Sequence, residues 1–268
     1  MDKIEIKQKV KEGYAKVAKN SSSCCCGPST DLFNSNSCCG SSSLSADGIG
    51  KQIGYSDKEM SAVPEGANLG LGCGNPTALA GLKTGETVLD LGSGAGFDCF
   101  LAANKVGSSG RVIGVDMTPE MIQKAKENAV KNNYKNVEFK LGEIEKLPVD
   151  NDTIDAVISN CVINLSPDKK QVFRETFRVL KTGGRIMVSD IVLLKELPYD
   201  IKNSVQAYIS CVAGAILKED YINSIKEAGF NDVKITEENV SSIAYMIKGF
   251  DNGNENLIAS IKVSAVKP

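Results

Sequence analysis

The sequence contains the stretch Val88-Leu89-Asp90-Leu91-Gly92-Ser93-Gly94-Ala95-Gly96, in which a short apolar segment runs into three alternating glycines. An apolar run of this length that ends in glycine is typical of a buried strand. A helix is predicted over residues 97–104, directly after the last glycine. Glycine lets the backbone approach a ligand closely, and a helix N-terminus offers free N–H groups. The stretch therefore predicts a strand, a ligand-binding turn and a helix.

Strands and helices continue to alternate after this turn. Extended segments are predicted at 111–116, 136–141, 153–159 and 184–192. Helices are predicted between them, one starting at Thr118-Pro119-Glu120, where Thr118 is the expected N-cap and Pro119 the first helical residue. Such alternation predicts a parallel sheet with right-handed crossovers and helices on both faces. A further helix and extended segments follow residue 196.

Composition divides the chain into three predicted regions. Residues 1–50 combine a charged helix over 1–20 with a segment at 21–48 rich in Ser, Cys and Asn, which we expect to be mobile because it has few large apolar residues. Residues 51–195 form the predicted cofactor-binding domain, and Ser56-Asp57-Lys58-Glu59 near its start is a capping-box pattern. Residues 196–268 are predicted to be a C-terminal elaboration on the substrate side.

The composition also excludes several classes of function. The 268 residues carry a formal net charge of −2 and no histidine, which removes mechanisms that use an imidazole base or a histidine-bound metal. No basic run predicts a nucleic-acid partner, and no apolar run reaches the roughly 20 residues of a membrane span. The first residues lack a signal-peptide pattern. We expect a cytoplasmic monomer whose nine cysteines are thiols suited to a soft metal or metalloid.

The glycine turn favours one class of cofactor. Its spacing is Gly-x-Gly-x-Gly, not the dinucleotide pattern Gly-x-Gly-x-x-Gly, and no phosphate-binding lysine follows it. Asp90 would repel a pyrophosphate but could hold a cationic methionine moiety. Asp116, which lies 24 residues after Gly92 at the end of the next predicted strand, could accept both ribose hydroxyls. The turn thus favours S-adenosylmethionine over NAD, the alternative being a structural turn without a ligand.

Residues 70–192 resemble arsenite methyltransferases of the class I S-adenosylmethionine-dependent superfamily. The resemblance is carried by Asp90-Leu91-Gly92-Ser93-Gly94-Ala95-Gly96-Phe97-Asp98-Cys99, Gly114-Val115-Asp116-Met117-Thr118, Ile144-Glu145-Lys146-Leu147 and Ser159-Asn160-Cys161-Val162-Ile163-Asn164-Leu165. The glycine motif is shared across the superfamily, whereas the last segment is specific to the arsenic branch. The resemblance implies a Rossmann-like, doubly wound, mostly parallel seven-stranded sheet with a C-terminal α+β elaboration.

The resemblance also implies the cofactor site. The expected cofactor-binding residues are Asp90, Gly92, Ser93, Gly94, Gly96, Asp116, Met117, Glu143, Ile144 and Asn160. Ile144, after the third predicted strand, stands where an adenine ring could stack, although a plain surface loop is an equal alternative.

Three cysteines are candidates for the substrate site. Cys161 follows the fourth predicted strand at its carboxyl end, where α/β sheets bind ligands, although a free cysteine is more often a small buried apolar residue. Cys73 and Cys211 have no diagnostic spacing to it. The resemblance implies that Cys73, Cys161 and Cys211 hold trivalent arsenic as thiolates, so that its lone pair attacks the methyl carbon without a general base. It further implies arsenite or an arsenic-thiol complex as substrate, and glutathione or thioredoxin as reductant.

The remaining cysteines have less certain roles. Cys24, Cys25, Cys26, Cys38 and Cys39 either capture arsenic or belong to a low-complexity arm without catalytic duty. Many members of the family carry a fourth cysteine upstream of Cys73, and Leu44 stands near that position. Cys99 is interpreted as a packing residue.

Two other functions are compatible with parts of the sequence. The glycine motif alone also fits a methyltransferase of a small organic substrate, similar to the quinone C-methyltransferases. The cysteine clusters alone fit a thiol-rich protein that sequesters a metal or metalloid without catalysis. Asp116 argues against sequestration, because that function gives the carboxylate no task.

Overall fold

The chain is built around one seven-stranded sheet. A computed structural model describes residues 3–20, 46–76, 81–202, 204, 207–208, 211–239 and 257–268. Its strands are β1 (Thr87–Leu91), β2 (Arg111–Asp116), β3 (Val137–Leu141), β4 (Ile154–Asn160), β5 (Leu180–Leu193), β6 (Asn231–Asn239) and β7 (Ile258–Val266). They lie in the order β3-β2-β1-β4-β5-β7-β6. The first five pair in parallel, and β7 is antiparallel to β5 and β6. The predicted mostly parallel seven-stranded sheet is confirmed.

Helices connect these strands and precede the sheet. They are α1 (Lys3–Asn20), α2 (Ala46–Gln52), α3 (Asp57–Ser61), α4 (Phe97–Val106), α5 (Pro119–Lys131), α6 (Lys169–Val179), α7 (Tyr199–Lys202) and α8 (Lys218–Glu227), with a 3₁₀ turn at Ile163–Leu165. Within the described ranges, none of these helices has the length and apolar character needed to cross a membrane.

The two faces of the sheet are covered by different helices. Side chains alternate between the faces of a strand, and both neighbours Val88 and Leu89 in β1 are fully buried. Val88 packs in an apolar cluster with α4 and α5, represented by Phe100. Leu89 packs in a second cluster with α6 and α8, represented by Phe173. Burial on both faces is characteristic of a doubly wound sheet, and it leaves the carboxyl ends of the strands as the place for a ligand.

Local capping agrees with the sequence at one helix and differs at another. At α3, the Ser56 side chain accepts a hydrogen bond from the Glu59 N–H at 3.2 Å, and the Glu59 carboxylate accepts one from the Ser56 N–H at 3.0 Å. This confirms the capping box. At α5, Thr118 occupies the N-cap position but its side chain makes no capping hydrogen bond. Its hydroxyl instead interacts with Asp116, which links the helix start to the end of β2.

Three segments differ from the sequence prediction or lie beyond it. Of the segment expected to be mobile, residues 21–45 lie outside the described residues, whereas residues 46–48 belong to α2, so that part of the prediction is wrong. α2 is held because Asn68 donates to the Ala46 carbonyl at 3.1 Å. β5 begins before the predicted residue 184, because Leu180 already pairs with Ile154. The predicted division of the chain into three regions at residues 50 and 195 stays a prediction. Strands β6 and β7, from the predicted C-terminal region, belong to the same sheet as β5.

Candidate active site

A cavity opens at the carboxyl ends of β1, β2 and β4. Eight of the predicted cofactor residues line it, namely Asp90, Gly92, Ser93, Gly94, Asp116, Met117, Ile144 and Asn160. Cys161 lines it as well. Two predicted residues do not: Gly96 lies behind the turn at the start of α4, and the Glu143 side chain is 55% exposed and paired with Lys7 at 2.8 Å. The position is the ligand edge of an open α/β sheet.

The glycine turn after β1 forms one wall of this cavity. Gly92 has a φ of 67°, and a β-carbon there would collide with the side chain of Val162. Gly96 has a φ of 95°, and a β-carbon there would lie 2.7 Å from the ring of Phe100. The turn therefore packs only with glycine at these positions. Between them, the Ser93 hydroxyl is buried and has no hydrogen-bond partner among the described residues, so it can bond to a ligand in the cavity.

Two buried carboxylates, Asp90 and Asp98, face the cavity. Burial raises the pKa of Asp90 well above its usual range, and the nearby charge of Asp98 raises it further. Burial also raises the pKa of Asp98 to about 6, although hydrogen bonds from Tyr55 and Asn160 act in the opposite direction. Neither carboxylate forms a salt bridge within the described ranges. A cationic ligand group would therefore be stabilised here, because it would compensate the ionised carboxylates for lost solvation.

Asp116 connects the glycine turn to the end of β2. Its carboxylate accepts hydrogen bonds from the backbone N–H groups of Gly94 at 3.0 Å and Thr118 at 2.8 Å. Burial raises the pKa of Asp116, while these hydrogen bonds lower it. Each carboxylate oxygen has two lone pairs, so the group keeps acceptor capacity toward the cavity that it lines. That geometry is compatible with the predicted binding of ribose hydroxyls.

A hydrogen-bond network that sequence reasoning missed joins the cavity to Cys73. The Tyr55 hydroxyl donates to Asp98 at 2.7 Å. The amide nitrogen of Asn160 lies 2.9 Å from the Tyr55 hydroxyl, 3.1 Å from Asp98 and 2.8 Å from the Gly74 carbonyl. The amide oxygen of Asn160 accepts from the Cys73 N–H at 3.0 Å. The chain segment that carries Cys73 is therefore held by the same residues that line the cofactor side of the cavity.

Two of the three predicted arsenic ligands, Cys73 and Cys161, are bonded to each other beside this cavity, and the third, Cys211, contacts the backbone of Cys161. Cys73 and Cys161 form a disulfide with a Cα–Cα distance of 5.8 Å, and the Cys211 thiol donates to the Cys161 carbonyl at 2.8 Å. All three are buried. Burial raises the pKa of Cys211, and the Asp190 carboxylate raises it further. Cys99 lies elsewhere, in the apolar cluster under α4, where its thiol donates to Asp90 at 3.2 Å. Cys24, Cys25, Cys26, Cys38 and Cys39 lie outside the described residues.

A fourth buried carboxylate, Asp190, borders the cysteines. A carboxylate oxygen of Asp190 and the sulfurs of Cys73 and Cys161 all lie within 4.8 Å of one another. Burial raises the pKa of Asp190 to about 7 despite its hydrogen bonds. Nearby, the Lys169 ammonium donates to the Ser166 carbonyl at 3.0 Å, and burial lowers the pKa of Lys169 to about 8. Sequence reasoning assigned no role to either residue.

Helix α1 covers the cavity and the cysteines, a contribution that sequence reasoning also missed. Lys7 and Tyr14 of α1 line the cavity. Lys7 forms ion pairs with Glu143 at 2.8 Å and Glu145 at 3.0 Å, after β3. The Tyr14 hydroxyl hydrogen-bonds with Cys211, and burial raises the pKa of Tyr14 well above its usual value. The helix therefore contacts both the cofactor side and the sulfur side of the site.

Comparison with known proteins assigns the family. A family model described as a methyltransferase domain matches residues 82–229. An arsenite methyltransferase of Halobacterium salinarum is 46% identical over 267 residues, which is 100% of this chain and 68% of that relative. The chain belongs to the arsenite methyltransferase family. This confirms the resemblance on which the sequence interpretation rests.

Two further arsenite methyltransferases agree with this assignment. That of Aquipseudomonas alcaligenes is 36% identical over 244 residues, covering 88% of this chain and 65% of its own length. The crystal structure of an arsenic(III) S-adenosylmethionine methyltransferase from Chlamydomonas reinhardtii is 32% identical with a TM-score of 0.65. The match covers 84% of this chain and 75% of that one. The class I methyltransferase fold extends through the part of the chain that holds the candidate site.

Proposed function

We propose that this chain transfers a methyl group from S-adenosylmethionine to trivalent arsenic held by Cys73, Cys161 and Cys211. The observation that carries the proposal is that three cysteines far apart in sequence lie together at the edge of the cavity: Cys73 is bonded to Cys161, and the Cys211 thiol contacts the Cys161 carbonyl. Membership in the arsenite methyltransferase family supports the substrate.

The cavity fits the cofactor. S-adenosylmethionine supplies an electrophilic methyl group and carries an ammonium and a sulfonium but no phosphate. Asp90 and Asp98 offer buried negative charge for the two cations, and the Ser93 hydroxyl offers an unused hydrogen bond. Asp116 offers acceptor capacity for ribose hydroxyls, and a β-carbon at Gly94, whose N–H donates to Asp116, would meet no atom within 4 Å, so the glycine turn leaves open space there. Asn160 would hold Asp98 in place.

The sulfur site needs reduction before it can hold arsenic. Cys73 and Cys161 form a disulfide, so a thiol reductant such as glutathione or thioredoxin must convert it to two thiols, becoming a disulfide itself. Arsenite then exchanges three hydroxyl groups for three thiolates and releases three water molecules. Trivalent arsenic is soft and matches sulfur ligands. A reducing, cytoplasmic compartment is part of the proposal because it keeps these thiols available.

The protein then acts by orientation. Three thiolates fix the arsenic and leave its lone pair free. The hydrogen bond from the Cys73 backbone N–H to the Asn160 side chain fixes the position of one of these ligands relative to the cofactor side of the cavity. Holding the arsenic lone pair and the methyl group of the cofactor in line lowers the barrier, because the two groups no longer have to meet by diffusion. No general base is required, because trivalent arsenic carries no proton that must leave before the methyl group is transferred.

The test uses the full chain with methyl-labelled S-adenosylmethionine, arsenite and a thiol reductant. We expect labelled methylarsenicals from the native chain, and loss of that product by 100-fold or more in each of Cys73→Ser, Cys161→Ser and Cys211→Ser. The matched control is Cys99→Ser, which changes a buried thiol outside the cluster and keeps a donor to Asp90. Full activity of all three site variants, or no product from the native chain, would overturn the proposal.

A further inference from the structure

We propose that the Asp190 carboxylate stabilises the positive charge that arrives on arsenic during methyl transfer, an inference that rests on the proposed function. Asp190 is fully buried on β5, which pairs with β4 on one side and β7 on the other. Its carboxylate oxygen lies within 4.8 Å of the sulfurs of Cys73 and Cys161. It is therefore the buried carboxylate on the arsenic side of the site.

The carboxylate is fixed by three donors. Its Oδ1 accepts from the Asn164 amide at 2.8 Å and from the Ile191 N–H at 3.0 Å, and its Oδ2 accepts from the Tyr221 hydroxyl at 3.1 Å. These donors come from the turn after β4, from β5 and from α8. A charge held in place in this way needs no reorganisation when the reaction moves charge toward it, which is the condition for electrostatic catalysis.

Methyl transfer moves one positive charge toward Asp190. The arsenic lone pair forms the new bond to the methyl carbon, the bond from that carbon to the cofactor sulfur breaks, and its electron pair stays on that sulfur. Arsenic bound to three thiolates is neutral before the step and carries one positive charge after it, with arsenic oxidised from the trivalent to the pentavalent state. The carboxylate therefore interacts more strongly with the transition state than with the bound substrate.

The other buried carboxylates act on the opposite side of this charge movement. Asp90 and Asp98 line the cofactor cavity and stabilise the cationic cofactor before the reaction. By themselves, Asp90 and Asp98 would oppose methyl transfer, because the step moves the positive charge of the cofactor sulfur away from them and toward arsenic. Asp190 lies beside the cysteines and attracts the positive charge in the opposite direction. The nearby Lys169 ammonium reduces this attraction.

The test is Asp190→Asn in the full chain with Cys24, Cys25, Cys26, Cys38 and Cys39 changed to Ser. Asparagine keeps the shape, accepts the bonds from Asn164 and Ile191, and can donate to the Tyr221 oxygen. At a pH of about 8, where a carboxylate with a pKa of about 7 is mostly ionised, we expect single-turnover methyl transfer to fall by about 10- to 100-fold. The parent for this comparison is the chain with the five serine substitutions and native Asp190. The affinities for arsenite and S-adenosylmethionine should stay within about twofold of the parent, because both ligands bind before the positive charge moves to arsenic.

A second readout does not depend on turnover. Cadmium ion bound by three thiolates of the same reduced site carries a net charge of −1, whereas arsenite gives a neutral complex. The Asp190 carboxylate therefore repels the cadmium complex, and Asp190→Asn should strengthen cadmium binding by about tenfold and leave arsenite binding unchanged. The matched control is Asp155→Asn at the amino end of β4, away from the cavity. The inference is overturned if Asp190→Asn and the parent transfer methyl groups equally fast, or if Asp190→Asn changes the cadmium and arsenite affinities by the same factor. Single-turnover transfer is also measured with Asp190→Asn in the native chain, and an inactive native chain would refute the proposed function instead.

Discussion

The side-chain oxygen of Asn160 accepts a hydrogen bond from the backbone N–H of Cys73 across 3.0 Å. The amide nitrogen of the same side chain lies 3.1 Å from the Asp98 carboxylate. One residue at the end of β4 thus connects the Asp98 carboxylate, which lines the cavity, with Cys73, a proposed arsenic ligand 87 positions earlier in the chain. A substitution at Asn160 should therefore affect cofactor binding and sulfur geometry together.

Replacing Asn160 by Ala removes this connection. We expect the free energy of unfolding to fall by about 1–3 kcal/mol, since the Cys73 N–H and the Asp98 carboxylate lose buried partners. Arsenite methylation should fall by at least about tenfold because Cys73 is no longer fixed. Denaturant unfolding and single-turnover assays measure the two effects. Asn104→Ala is the matched control, because its amide bonds to the Ala62 carbonyl away from the site. Turnover equal to that control would contradict the positioning role.

Cofactor affinity should depend on pH through Asp98. The pKa of Asp98 is about 6, above that of a solvent-exposed aspartate, because burial opposes ionisation. The titratable groups that face Asp98 are Asp90, Glu59 and Tyr55. The ionised form attracts the cationic cofactor, so affinity should be low at pH 5 and rise as pH passes about 6, by at most tenfold per pH unit. Calorimetry with S-adenosylmethionine between pH 5 and 7.5 measures this change.

Two variants identify the titrating group. Asp98→Asn should bind the cofactor more weakly than the native chain at pH 7 and with less pH dependence. Tyr55→Phe removes a hydrogen bond that favours ionised Asp98, so the rise in affinity should shift to higher pH. A native profile without any rise between pH 5 and 7, or one that Asp98→Asn leaves intact, would assign the titration to another group.

The disulfide between Cys73 and Cys161 should control arsenite binding. In the variant without Cys24, Cys25, Cys26, Cys38 and Cys39, the oxidised chain has only Cys99 and Cys211 as thiols. We expect it to retain no arsenite after gel filtration, and to retain one arsenic per chain after reduction, when thiol titration should gain two groups. Arsenic measured by mass spectrometry in the protein fraction decides this. Equal retention by the oxidised and reduced forms would place the metalloid elsewhere.

Local sequence predicted the parts of the site that lie next to a strand. The turn at 92–96, the carboxylate of Asp116 and the position of Cys161 all follow from strands that end at one edge of a parallel sheet. The resemblance to a family supplied Cys73 and Cys211. Their approach to Cys161 depends on long-range packing across 88 and 50 positions, which has no local signal.

The residues that sequence reasoning missed act through tertiary contacts. Asp98 stood within the glycine motif, but as a charged residue in the first turn of α4 it had an ordinary explanation as a helix-dipole partner. Asp190 lies in the extended segment predicted at 184–192, and its pattern assigned the residue no role. Lys7 and Tyr14 belong to the charged helix predicted over residues 1–20, whose packing against the cavity has no signal in its own sequence. Burial of a charge next to a ligand cannot be derived from its neighbours in the chain.

Helix α1 should slow the release of the cofactor. Lys7 joins it to Glu143 and Glu145 beyond β3, and the side chain of Lys7 lines the cavity. Partly exposed ion pairs contribute about 0.2–1 kcal/mol each, so Lys7→Met should raise the dissociation rate of labelled S-adenosylmethionine by about two- to fivefold. A filter-binding chase with unlabelled cofactor measures this rate.

A matched control and salt separate this effect from a general weakening of α1. Lys9 pairs with Glu5 at 2.7 Å within the helix, so Lys9→Met removes an ion pair of α1 that does not reach the cavity wall. Added salt should speed release from the native chain and from Lys9→Met, because it screens the pairs of Lys7, while Lys7→Met should respond less. Equal release rates from Lys7→Met and Lys9→Met would mean that the ion pairs of Lys7 do not retain the cofactor, and that other contacts hold α1 over the site.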